Sequence, residues 1–312
     1  MVKILVVIPT LTSGELYEET VASVKAQVGV TTTIITIPGN HLPAWKRNVG
    51  ATNYKLDYIC FLDDDVKLRT NTLSQMAKTL RFSPYTGMVF GKILNAEKRD
   101  RLDDCGCYMT WTGFLWSRAG QLDKDEGQCD KRDVVLAGKS AMCMIKRSIF
   151  EKVGGFDEDF GILGEETDLA YRVWRANYYV DYNPDAICYH WFNTTRKPFK
   201  EFYSIRRVFY YGPRNYITFL IKNLPALQLV RILPVHILLW ATCAMGMLCR
   251  GKWRESCAIV GGVIQGLFNL KRSWLKRHGS YTQPFWHLIY KNPPLSYYWK
   301  RFRAYMKKGL HG

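Results

Sequence analysis

Two acidic clusters carry most of the chemistry available to this chain. Asp63-Asp64-Asp65 follows the apolar run Ile59-Cys60-Phe61-Leu62, and Glu165-Glu166-Thr167-Asp168 comes about a hundred residues later. A carboxylate left unpaired beside apolar side chains costs on the order of several kcal/mol. Each cluster is therefore expected to be neutralised by cations or used in a reaction. Asp63 and Asp65, two residues apart at a strand end, point the same way and suit Mg2+ or Mn2+. These hard cations take oxygen ligands and keep open positions for phosphate. A solvated acidic turn is the plainer alternative. Glu165 and Asp168 lie at i, i+3 on one face of a helix start, with Glu166 turned toward the loop side. A carboxylate there can take a proton from an attacking hydroxyl, although acids in a first turn also serve as simple caps. His190 closes the run Ala186-Ile187-Cys188-Tyr189-His190. It is either a packed histidine among aromatics or the nitrogen donor that completes a metal site.

The elements that must position these groups follow from periodicity. Lys3–Ile8 is a β-branched strand, Pro9–Gly14 a turn and Glu15–Gln27 a helix. Thr31–Ile37 is a second strand closed by Pro38-Gly39-Asn40, and Pro43–Asn53 a second helix. Tyr58–Leu62 runs into the three aspartates, followed by a helix over Asn71–Phe82 and a strand over Thr86–Ile93. Alternation of this kind predicts a parallel sheet, and ligands of such sheets gather at the carboxyl ends of strands. Pro9-Thr10, Pro38–Asn40 and Asp63–Asp65 all fall there. Residues 95–133 read as irregular, with Trp111 and Trp116 close together. Val134–Ile145 reads as a strand, Arg147–Val153 and Glu165–Ala176 as helices, and Tyr178–Tyr182 and Ala186–Tyr189 as two short strands.

Charge separates the chain into two physical objects. Residues 1–190 carry a net charge of −2, and residues 191–312 carry +19, with 21 Lys and Arg against 2 acids. A basic, aromatic-rich segment faces nucleic acid or an anionic membrane surface. No groove-reading motif is present, so the nucleic-acid reading is the secondary one. Leu224–Leu248 is long enough to cross a bilayer but contains Pro225, Arg231, Pro234 and His236. Ser256–Leu270 is shorter and is followed by Lys271-Arg272 and Lys276-Arg277. This pattern suits an interfacial element, with a transmembrane hairpin or ordinary soluble helices as alternatives. The nine cysteines, with no C-x-x-C pair, suit a reducing compartment; zinc at Cys105, Cys107 and Cys129 lacks a fourth ligand. The N-terminus reads as a buried strand rather than a signal peptide, which leaves the sequon Asn193-Thr194-Thr195 idle. Gly138-Lys139-Ser140 resembles a P-loop ending without its first glycine, and Gln228-Leu229-Val230-Arg231 lacks the tryptophan of a Q-x-x-R-W motif.

Taken in order, these residues resemble the family 2 inverting glycosyltransferases of the GT-A fold, nearest to rhamnosyl- and galactofuranosyltransferase-like members that extend lipid-linked glycans. The resemblance covers roughly residues 3–215. It rests on Val6-Val7-Ile8-Pro9-Thr10, Arg47-Asn48-x-Gly50, Phe61-Leu62-Asp63-Asp64-Asp65, Gly154-Gly155-Phe156-Asp157-Glu158, Glu165-Glu166-Thr167-Asp168-Leu169-x-x-Arg172, His190 and Tyr210–Asn215.

The resemblance implies a GT-A, Rossmann-like α/β domain over residues 1–215, with a mixed, mainly parallel sheet and flanking helices. Its donor half spans about 1–95 and its acceptor half about 96–215, and residues 216–312 form a helical membrane-association region. It implies Mg2+ or Mn2+ on Asp63, Asp65 and His190. Pro9, Thr10, Asn40, Arg47, Asn48, Asp63 and Asp64 would hold a UDP-, dTDP- or GDP-linked sugar, and Trp111, Trp116 and Gly138 would serve the acceptor, a lipid-linked glycan, with a place in the core as the alternative for each tryptophan. The base aligns with Glu166, where the family usually has Asp, which leaves Glu165, Glu166 and Asp168 as candidates. Thr36–Asn40 replaces the family's acidic nucleotide-reading turn, so the base of the donor stays open. The implied setting is the cytoplasmic face of a membrane, without nucleic acid. A nucleic-acid-binding protein, a non-catalytic membrane scaffold and a nucleotidyltransferase are the competing readings.

Overall fold

A computed structural model of the chain describes residues 1–11, 13–119, 123–191, 205–277, 285–296, 298–299 and 302–303. The sequon at 193–195 lies outside them. The described residues fall into two units: residues 1–108 with 117–196, and residues 109–116 with 197–312.

In the first unit the chain runs β1 (Val2–Pro9), α1 (Glu15–Lys25), β2 (Val30–Ile37), α2 (Pro43–Thr52), β3 (Tyr58–Leu62), β4 (Val66–Leu68), α3 (Thr72–Phe82) and β5 (Thr86–Asn95). It continues through β6 (Leu102–Asp104), then β7 (Cys107–Met109) and β8 (Leu115–Ser117), whose residues 109 and 115–116 are counted with the second unit, and then β9 (Asp133–Val134), β10 (Met142–Lys146), α4 (Arg147–Val153), α5 (Glu165–Arg175) and β11 (Tyr179–His190). The main sheet has the order β2-β1-β3-β10-β5-β11-β4. β2, β1, β3, β5 and β11 share one direction, while β10 runs antiparallel to both β3 and β5. Ile4 to Ile8 are all buried, because helices cover both faces of β1 and the strand needs no polar alternation. Ile4, Val6 and Ile8 pack with Val24 of α1 and with Leu73, Met76 and Leu80 of α3. Val7, pointing the other way, lies under Gly50 of α2.

Three expectations change in this unit. The run 134–145 divides into β9, a loop and β10, because β9 pairs with β11 whereas β10 is inserted between β3 and β5. The two short strands read at 178–182 and 186–189 are one strand, β11, with its register shifted between Asn183 and Ile187 across Pro184. Cys105 and Cys129 form a disulfide, against the expectation of reduced thiols, because the Leu102 N–H binds Asp123 O (2.8 Å) and folds the following chain back onto β6. Cys107 is a separate buried thiol, so the three cysteines form no zinc site.

The second unit holds α6 (Ile205–Asn223), α7 (Ala226–Leu248), α8 (Trp253–Phe268), α9 (Leu270–Leu275) and α10 (Trp286–Ile289). The division at 196/197 differs from the expected boundary at 215/216 because α6 is continuous through Pro213. Segment 109–116 joins this unit by burying Phe114 among Tyr216, His236 and Trp240. His236 is fully buried: Nδ1–H donates to Thr112 O (2.8 Å) and Nε2 accepts from Trp240 Nε1 (2.9 Å). Burial pushes its pKa down to about 4, against the opposing Thr112 bond. A neutral imidazole has one donor and one acceptor, and both are used here.

A methyl group on Gly50 would come within 2.3 Å of Val7 Cγ1. The better helix propensity of alanine returns at most about 1 kcal/mol, less than typical overpacking of roughly 1–3 kcal/mol. Gly50→Ala is expected to lower the thermal midpoint by roughly 2–10 °C, read by circular dichroism.

Candidate active site

The carboxyl ends of β1, β2 and β3 meet because the three strands are parallel, with Pro9 opposite Ile37 and Val7 opposite Phe61. Thr10, buried at that edge, is held on three sides. Its N–H donates to Ile37 O (3.1 Å), its carbonyl accepts from Lys46 Nζ (2.6 Å), and its hydroxyl donates to Asp64 Oδ2 (2.6 Å). Burial lowers the Lys46 pKa, with Asp64 opposing. Pro9 is buried at the strand end, and Asn40 is exposed in the loop after β2.

Arg47 is carried by α2, whose first turn begins at Pro43, where the fixed φ of proline suits a helix start. Its buried guanidinium forks: Nη2 reaches Asp63 Oδ1 and Nη1 reaches Glu165 Oε1, each at 2.8 Å. One cation therefore joins the two acidic clusters. Burial alone would lower the Arg47 pKa, but Asp63 and Glu165 hold it above its ordinary value. The neighbouring Asn48 faces the Gly-Gly-Phe-Asp-Glu turn instead. Its amide donates to Phe156 O and Glu158 Oε1 and accepts from Phe156 N, all at 2.9 Å. Asn48 thus braces that turn, and the expected donor contact is not where its polar atoms go.

Helix α5 starts after Gly164 in the left-handed region (φ 88°), with Glu165, Glu166 and Asp168 in its first turn, where the macrodipole favours acids. The three acids diverge. Glu165 is paired with Arg47. Asp168 is fully buried and paired with Arg172 Nη2 at 2.7 Å. Glu166 is half-buried and, among the described residues, makes no ion pair. Burial first, and the adjacent Glu165 charge second, raise its pKa well above the ordinary glutamate value.

The metal-ligating candidates converge through sheet pairing. β4 folds back antiparallel along β11 so that Val66 lies opposite His190, and the Trp191 N–H donates to Asp65 O (2.9 Å). Ligand atoms of Asp63, Asp65 and His190 consequently lie within 4.8 Å of one another. His190 Nε2 is 3.3 Å from Asp65 Oδ1, and its Nδ1 is 2.8 Å from Asp103 Oδ2. Burial would lower the histidine pKa, but Asp65 and the Asp103 bond lift it to about 9. Two carboxylates and an imidazole form a hard oxygen set with one nitrogen, which fits Mn2+ or Mg2+.

Sequence reading did not find Asp103. It sits on β6, paired antiparallel to β5, in a stretch that read as irregular. Lys139 Nζ holds its other oxygen at 2.6 Å. Burial alone would raise its pKa; Lys139 and His190 instead hold it well below the usual carboxylate range. The one available signal was Leu102-Asp103-Asp104, an acidic pair flanked by apolar residues. Gly138 is buried, and a Cβ there would meet Phe90 at 2.8 Å and Asp104 Oδ2 at 2.9 Å. Its place is close packing that brings Lys139 to Asp103, rather than the expected acceptor surface. Trp111 and Trp116 belong to the second unit; Trp111 is half exposed and its N–H donates to Asn292 Oδ1 (3.0 Å).

Residues 6–222 match the family described as glycosyltransferase like family 2. The chain belongs to this family. Solved structures of glycosyltransferases share the GT-A fold of this family 2 chain. GalNAc-T7 with UDP, GalNAc and Mn2+ aligns with a TM-score of 0.51 at 14% identity, over 70% of this chain and 50% of its own. The family 2 chain thus spans half the length of that protein. The mannosyltransferase PcManGT from Pyrobaculum calidifontis, with GDP-Man and Mn2+, aligns at 0.50 and 13% identity over 85% of this chain and 87% of its own. S. aureus TarS 1–349 aligns at 0.50 and 12% identity over 88% of each chain. No curated protein sequence matches the chain.

Removing Arg47 leaves Glu165 buried without its cation, a change that typically costs about 3–5 kcal/mol. Arg47→Met is expected to lose stability of that order in urea unfolding. Adding Glu165→Leu to the same chain is expected to restore part of the loss, because the uncompensated charge is then gone.

Proposed function

We propose that the protein is a metal-dependent inverting glycosyltransferase that moves a sugar from a nucleotide-sugar to a hydroxyl of a lipid-linked glycan. The observation that carries this reading is the convergence of Asp63, Asp65 and His190 beside the Arg47 fork, which joins Asp63 to Glu165, the neighbour of Glu166. The UDP, GDP-Man and Mn2+ held by structural neighbours support a nucleoside diphosphate donor.

Thr10, Asp64 and Arg47 line the strand ends where the nucleotide would bind, and Asp63 would serve either metal or ribose. Asp63, Asp65 and His190 would hold a divalent metal, which would offset the negative charge developing on the leaving diphosphate. Asp103 holds the His190 ring from its far nitrogen and so aims the other nitrogen at the metal position, as supporting carboxylates do. Of the three acids on α5, Glu165 and Asp168 are neutralised by arginines. Glu166 is the base: its carboxylate takes the acceptor hydroxyl proton as that oxygen attacks C1 from the face opposite the diphosphate. The new C–O bond forms as the old one breaks, and configuration inverts. A raised pKa brings the base closer to working pH, where proton transfer is most effective.

Release of nucleoside diphosphate from a panel of UDP-, dTDP- and GDP-linked sugars with Mn2+ tests the reading. Asp65→Ala is expected to abolish metal-dependent turnover with the fold intact; unchanged turnover would refute it. Asp103→Asn is expected to weaken Mn2+ binding by roughly 10–100-fold, measured by calorimetry without donor.

The active form of Glu166 is the carboxylate. Its raised pKa therefore predicts that kcat/KM falls with decreasing pH at a midpoint above the ordinary glutamate value. Glu166→Gln should remove transfer while donor binding, read by thermal shift, persists. A pH profile with its acid limb in the ordinary carboxylate range would assign the base elsewhere.

A further inference from the structure

Helices α7 and α8 each bury one stripe and leave the opposite one bare. On α7, Leu229, Ile232, His236 and Trp240 face inward, while Leu227, Val230, Leu238 and Met245 are 60–72% exposed. Only 28% of the most apolar 18-residue window of this helix is buried. On α8, Val260, Ile264 and Phe268 are exposed, Phe268 to 79%. Large apolar side chains exposed along two neighbouring helices are of the kind that mark an interaction surface.

The charges around the stripes say what covers them. Arg231 is the only Lys, Arg, Asp or Glu in α7, and α8 has none after Glu255. The cations stand at the ends: Arg250, Lys252 and Arg254 before or at the start of α8, Lys271 and Arg272 just after it, all exposed. An apolar strip framed by cations complements the acyl and phosphate layers of an anionic lipid surface. Alpha8, at 16 residues, is about 24 Å long, short of the ~30 Å hydrocarbon core. Lying flat puts the cations at both of its ends on the same phosphate layer, whereas spanning would divide them.

We infer that α7 and α8 form an interfacial docking surface for an anionic bilayer, with their exposed stripes among the acyl chains and the terminal cations on lipid phosphates. The inference stands apart from the transfer reading, because binding is measured without donor, acceptor or metal.

The test is flotation of the full chain with phosphatidylcholine vesicles and with vesicles containing phosphatidylglycerol at about a 7:3 ratio. The chain should float with the anionic vesicles and be partly released by high salt. Leu238→Glu with Phe268→Glu should reduce binding by roughly tenfold or more, and Lys271→Glu with Arg272→Glu should remove the preference for anionic lipid. These positions are exposed, and an unchanged circular dichroism spectrum identifies variants that still fold. Three results would overturn the proposal: equal binding by the glutamate variants, a homodimer in light scattering that those variants dissociate, or protease protection of one end of α7 across sealed vesicles.

Discussion

The arrangement depends on one buried cation. Arg47 reaches Asp63 with one nitrogen and Glu165 with another, and these acids are 102 residues apart in the chain. Desolvating a guanidinium and two carboxylates is expensive, and such networks often gain little net stability. Their value is geometric, since a planar fork accepts its partners only along set directions. The end of β3 and the start of α5 are thereby held in one relation. That relation depends in turn on α2 lying close against β1, which the missing side chain at Gly50 allows.

The metal-ligating end is fixed by a second constraint of a different kind. β4 turns back along β11, and this backbone ladder, rather than a side-chain contact, brings Asp65 beside His190. Behind the imidazole stand Asp103 and then Lys139, so the ring is held on the side away from the cleft. Imidazole, carboxylate and ammonium thus follow one another, each held by the group behind it.

Much of this was legible in the sequence because local rules and the fold agree. β1, β3 and α2 are apparent from Ile4–Ile8, Tyr58–Leu62 and Pro43, and the aspartates stand where a parallel strand ends. His190 was visible as the close of an apolar run. What was hidden depends on partners far along the chain. The direction of β10 cannot be read from Met142–Lys146, since an apolar run is the same in either sense. Asp103 lies on a three-residue strand with no periodicity, and its role exists only beside His190. Asn48 sits in a motif that suggests ligand contact, yet its amide is used 108 residues away, at Phe156. At Gly138 a buried close approach and a ligand cradle call for the same residue, so the sequence alone does not separate them.

Segment 109–116 leaves the first unit and is completed by the second. During synthesis its Phe114 and the Thr112 carbonyl emerge more than a hundred residues before His236 and Trp240, the partners that cover them. Until α7 has been made, Phe114 and the Thr112 carbonyl lack these partners. A protein cut near residue 196 would keep Phe114 and lose Tyr216, His236 and Trp240, the rings that cover it.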